Sequence, residues 1–179
     1  MRTRPARTKP ALALALFFLL SLPATVLAQV TCTASNTTID FGAYDVLAGT
    51  TLDATGSFAV TCVNTNNGNA QVTYTAKLAT SPTQQMAPPS GTDRLSYVVY
   101  VDAARTQPWG DGTAGTFTIT GSITVSGNST LTDTPKNYYG RITPGGQDVS
   151  AASPGPPPTT YSQTLAVTVT CTLQGNKAC

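Results

Sequence analysis

The sequence predicts an all-β protein built as an antiparallel β-sandwich, and three observations carry that expectation. The first is composition: among 179 residues there is no glutamate and little lysine, while threonine is abundant and there are 15 glycines and 13 prolines. Glutamate and lysine favour helices, threonine and valine favour strands, and glycine and proline favour turns. The second is a repeated alternation of apolar and threonine-rich positions. The third is a regular punctuation of those runs by turn clusters.

Taken in order, residues 1–28 read as a secretory signal. Arg2, Arg4, Arg7 and Lys9 precede an apolar run from Ala11 to Leu20, and Val26-Leu27-Ala28 offers a cleavage site. That run is shorter than the roughly 20 residues a membrane span needs, so no stable span is expected. Residues 29–179 are then expected to form one domain. Its first strand is placed near Val30 to Phe41.

Phe58, Val60 and Cys62 share one face of the next run, and Val72, Tyr74, Ala76 and Leu78 share one face of another. "NTNNGN" (64–69) and "SPTQQMAPPSGTD" (81–93) read as turns. "LSYVVYV" (95–101) is apolar on both faces, as a central strand would be. "WGDG" (109–112) reads as a turn. In "FTITGSITV", Phe117, Ile119, Ile123 and Val125 share a face, and Gly121 marks a bulge or kink. "SGN" (126–128) and "TPGG" (143–146) are further turns. "SPGPPPTT" (153–160) is too rich in proline for a central strand and reads as an edge or protruding loop. A last strand alternates through Leu165, Val167, Val169, Cys171 and Leu173. One apolar and one polar face per strand suits sheets wet on one side.

Charge and cysteine content bound the function. Removing the signal leaves six cations against eight aspartates, too few and too scattered for a nucleic-acid face. In an exported chain, Cys32, Cys62, Cys171 and Cys179 are expected to form two disulfides. Of three possible pairings, Cys32–Cys62 with Cys171–Cys179 is favoured because each pair is nearest in sequence. There is no histidine, which removes histidine-dependent triads and the usual metal clusters. The aspartates mostly neighbour Gly, Thr or Pro, as turn aspartates do, and Arg94 or Arg141 is expected to pair with one of them. No catalytic residue, cofactor or metal is expected. Trp109 could in principle stack on a sugar, but an indole covering the end of the sandwich from a glycine-rich turn is favoured. Two Asn-X-Ser/Thr acceptor sites, at Asn36 and Asn128, are expected by chance in so threonine-rich a chain.

The order of motifs resembles the spore coat protein U family, which includes subunits of archaic chaperone–usher pili. The motifs are an early cysteine, "FGAYD" (Phe41, Gly42 and Tyr44), "FAVTC", "DRLSYVVYVDAARTQPWGDGT" (Trp109, Gly110, Asp111 and Gly112), Tyr138 with "YGRI" (Tyr139, Gly140, Arg141 and Ile142), Gln147, and the final "YSQTLAVTVTC". These are read as folding residues. The resemblance implies an incomplete immunoglobulin-like sandwich, a Cys32–Cys62 bridge, and a groove that accepts a strand. It implies as partners a periplasmic chaperone, an outer-membrane usher and other coat or pilus subunits. Export through the periplasm to a spore or cell surface follows. The groove walls are expected to be Val30 to Phe41 and Leu165 to Leu173. The chain departs from the family pattern in its proline-rich loop and in Cys179, which could instead bridge two chains.

With cleavage after Ala28, three residues precede Cys32. The chain is therefore expected to accept a strand more readily than to give one, favouring a coat component or terminal subunit over a long pilus rod.

Overall fold

A computed structural model of the chain describes residues 30–44, 49–78, 83–86, 94–145, 147, 160–175 and 177–179. The expected signal, most of the proline-rich loop, and Asp45, Asp93 and Asp148 lie outside the described residues. Within them the chain is all-β. In chain order the strands are β1 (Val30–Ala34), β2 (Thr37–Ala43), β3 (Leu52–Phe58), β4 (Val60–Asn64), β5 (Ala70–Lys77) and β6 (Thr83–Met86). There follow β7 (Leu95–Tyr100), β8 (Ile119–Val125), β9 (Ser129–Thr132), β10 (Lys136–Ile142), β11 (Thr160–Leu165), β12 (Thr168–Leu173) and β13 (Lys177–Ala178).

Every ladder is antiparallel. Four sheets run in the orders β1-β4-β9, β3-β10-β7-β6, β11-β2 and β13-β12-β5-β8. They pack as a sandwich around one core that includes Ile39, Phe41, Phe58, Val72, Tyr74, Tyr97, Val99, Trp109 and Tyr138. The alternation places these side chains inward, as a period of two requires. β7 lies between β10 and β6, the central position expected for the run that is apolar on both faces.

Three expectations need correction. The run 81–93 is not wholly a turn: it contains β6, whose Met86 is 2% exposed. Phe117 does not share the buried face of Ile123 and Val125, because it is 43% exposed. Its backbone is used before β8 begins, donating to Pro108 O at 2.8 Å and accepting from Gly110 N at 2.9 Å. Nor does Gly121 mark a bulge. The β5–β8 ladder runs without a break from Ala70↔Val125 to Ala76↔Ile119, and a Cβ on Gly121 would collide with the Tyr74 ring lying over it.

The same device recurs. Gly56 vacates space for Tyr138, and Gly140 does so for Ile39 and Phe41. Gly140 sits between β3 and β7, opposite Ala54 and Val99, so its backbone has little room to move. Gly140→Ala is expected to cost about 1–3 kcal/mol through overpacking, read as a lower urea midpoint with unchanged slope.

Candidate functional site: an unzipped seam between the first and last strands

The expected first and last strands each break in two. Ser35-Asn36 separates β1 from β2, and Ala166-Val167 separates β11 from β12. β2 and β11 pair with each other, ending at Thr37↔Leu165. Past that point the chains part company in their hydrogen bonding. β1 turns to β4, whereas β12 turns to β5. Continuing the β2–β11 register would set Ala34 against Thr168 and Val30 against Thr172. β1 and β12 do lie alongside each other there, yet share no ladder. The pair is zipped at one end and open at the other.

Burial marks the same seam. Val72, Tyr74 and Ala76 of β5 are fully buried. On the adjoining strand, the core-facing Val169, Cys171 and Leu173 are only half-buried, as are Cys32 and Ala34 of β1. The outward Thr168, Thr170 and Thr172 are exposed, as the alternation dictates.

Both disulfides flank this opening. Cys32 and Cys62 are bonded and sit directly opposite each other on β1 and β4, with Cα atoms 4.0 Å apart. Such closeness belongs to a non-hydrogen-bonded antiparallel pair. The N–H and C=O of Cys32 and Ala34 therefore point away from β4, toward the seam. Cys171 is bonded to Cys179 across the β12–β13 hairpin.

The remaining motif residues support the walls from behind. Phe41 packs edge-on against Tyr97 at 5.3 Å. Gly42 takes φ +65°, where a Cβ is strained, and its N–H donates to the Asp40 carboxylate at 2.8 Å. Tyr44 is buried. Trp109 is 0% exposed, stacked on Phe58 at 5.2 Å, with its indole N–H donating to Ala76 O at 3.2 Å. It offers no face to a sugar, and the carbohydrate-platform reading is withdrawn. Gly110 leaves room for Thr116, and Gly112 takes φ +89°. Asp111 accepts from the hydroxyl and N–H of Thr113, which hold its carboxyl below the usual range. Gln147 acts as a substitute strand: its side-chain oxygen accepts from Ser96 N–H at 2.7 Å and its amide donates to Ser96 O at 3.1 Å. This satisfies β7 beyond Ile142, where β10 ends.

On the outer face, Arg141 makes a two-pronged contact with Asp53 at 2.8 and 2.9 Å. The partner is a strand residue of β3 and not a turn aspartate. The sequence reading did not single out Arg105, which reaches the same carboxylate at 3.3 Å and lies over the Tyr139 ring. Its left-handed φ of +57° is held by a loop closed on the Asp102 carboxylate. No sequence signal beyond the chain's low charge pointed to it.

The hydrogen bond from Arg141 holds the Asp53 carboxyl below the usual range; burial opposes this, and the Arg105 charge reinforces it. Burial raises the Asp133 carboxyl, but hydrogen bonds from Tyr74, Thr134 and Lys136 outweigh it, so the net direction is again down. A carboxylate depressed in the folded state contributes stability above its unfolded pKa, near 3.9, and loses it as pH falls through the folded value. The urea midpoint is therefore expected to be flat from pH 7 to about 5 and to fall below about pH 4. Asp133→Asn should shallow that acid limb.

Among the described residues, no group of three His, Cys, Asp or Glu could hold a metal, and no helix is long and apolar enough to cross a membrane. On the described surface, a shallow depression of about 220 Å³ is lined mainly by Asn, Ser and Thr, and another of about 190 Å³ has a mixed lining that includes Tyr97, Arg141 and Gln147.

Protein U of Myxococcus xanthus is 30% identical over 147 residues, covering 76% of this chain and 73% of that protein. The Spore Coat Protein U domain matches residues 18–168, which takes in β1 to β11 and the start of β12, and the chain belongs to that family.

Proposed function

We propose that this chain is a non-catalytic structural subunit of a spore coat or cell-surface layer, completed by a strand from a partner. The observation that carries this reading is the seam: β1 and β12 lie side by side with no ladder between them, β13 covers only the far end of β12's edge, and half-buried apolar side chains lie between the two strands. An open edge of this kind invites strand addition and also aggregation. An exported subunit that carries one gains from a periplasmic chaperone that lends a strand and an outer-membrane usher that exchanges it. The same seam would serve a subunit of an adhesive pilus. The family description, spore coat, favours the coat.

Photo-crosslinking tests it. A benzophenone side chain at Val169, facing the seam, is expected to give adducts with a chaperone or a second subunit during export. The same group at Ser122, exposed on β8, should give none. No adduct at Val169 would sink the proposal. Long fibres grown from this chain alone would count against its being chiefly an acceptor, and mass spectrometry of the mature N-terminus fixes what it has to donate.

A further inference from the structure

Resting on that strand-accepting reading, we propose that β13, held against β12 by the Cys171–Cys179 disulfide, is an end stop, which restricts an incoming strand to a short stretch of β12. β5 occupies one edge of β12, so β13 must lie on the other, the edge that faces β1. β13 pairs Thr172↔Ala178 and Leu173↔Lys177, and Cys179 N–H donates to Cys171 O. In an antiparallel strand the N–H and C=O of one residue point to the same edge, and those of the next residue to the opposite one. The Cys171 carbonyl points to β13, so Val169 and Leu173 also direct their backbone groups toward the seam, whereas Thr168, Thr170 and Thr172 serve β5.

Of these seam-facing positions the hairpin covers Cys171 and Leu173. Val169, with Val167 at the kink, remains without a backbone partner among the described residues. The facing wall offers Cys32 and Ala34, and the Cys32–Cys62 bond pins that wall in place. The matching partner is an extended segment that pairs over only about four residues, from Val167 at the kink to Thr170 of β12, with strand spacing of ~3.3 Å per residue. It inserts one or two small apolar side chains beside Ala34 and Val169. A longer alternating strand gains nothing on this wall beyond Cys171, because the chain's own hairpin already stands there.

Two measurements test this. The first uses Thr-Val alternating peptides of five and nine residues, each flanked by two lysines and fluorescently labelled. Under oxidising conditions the native chain is expected to bind both within about twofold of each other. Cys171→Ser/Cys179→Ser, or a chain lacking 177–179 with Cys171→Ser, should bind the nine-residue peptide at least tenfold more tightly than the five-residue one. An unchanged length dependence overturns the end stop while leaving the open seam standing. Failure of both peptides to bind any of these proteins overturns the seam reading, and the end stop with it. The second measurement needs no variant. Amide exchange on the native chain should find the Leu173 N–H protected and the Val169 N–H unprotected, with the Leu173 protection lost on adding dithiothreitol. A Leu173 amide that exchanges as fast as Val169 with the disulfide intact overturns the proposal.

Discussion

Replacing Trp109 with alanine is expected to cost about 3–5 kcal/mol, the range for emptying a fully buried large aromatic position. The indole has contacts on several strands at once. It stacks on Phe58 of β3 with an interplanar angle of 19°, lies 5.5 Å from the Tyr138 ring of β10, and donates to the Ala76 carbonyl of β5. Its own backbone N–H is held by Val99 O at 2.7 Å. Those strands belong to two different sheets, so collapse around the void would require both to move. A loss of this size approaches the whole margin of many domains. Trp109→Phe keeps the aromatic body and forfeits part of the indole and its N–H bond; about 1–2 kcal/mol is expected. Urea denaturation followed by far-ultraviolet circular dichroism ranks the three proteins. An alanine variant within about 1 kcal/mol of the native chain would contradict the packing described.

Removing the Cys32–Cys62 bridge is the second large effect. A bond closing a loop with separation 30 is worth about 3–4 kcal/mol by chain entropy. The Cys171–Cys179 bond, with separation 8, should be worth about 1 kcal/mol less on the same relation. The consequences differ in kind as well as size. Cys32 is the middle residue of β1, a strand of five whose other edge meets the unpaired seam. Without the bond, β1 is held by one ladder to β4 alone. Cys32→Ser/Cys62→Ser should therefore lower the denaturation midpoint and speed amide exchange across β1 more than across β5, which is paired on both edges. Uniform acceleration in both strands would mean that the bond stabilises the domain only globally.

Much of this architecture was legible in the residues. The missing glutamate, the threonine-rich alternation and the turn clusters pointed to an all-β sandwich. The inward parity of Phe58, Val60, Cys62, Val72, Tyr74 and Ala76 matches their burial. The choice of nearest cysteines coincides with the bonds in the structure. Other features were hidden for identifiable reasons. β6 lay inside a run dominated by turn formers, and its single deeply buried side chain, Met86, is too little to set a period. Gly121 resembled a bulge because a sequence cannot display the Tyr74 ring that fills its place. Asp53 resembled a turn residue because its arginine partners lie 88 and 52 positions away in the chain.

The seam itself divides the two sources of information most clearly. Alternation in Val30–Phe41 and Leu165–Leu173 identified both segments as strands, and in the second it named the side chains that share a face. It could not indicate that each segment breaks, that the inner halves zip together, or that the outer halves turn to β4 and β5. Side-chain parity is written in the sequence because apolar and polar residues differ. Edge pairing is not, because every residue other than proline carries the same N–H and C=O. Which edges meet, and which are left open, is decided only when the sheets pack.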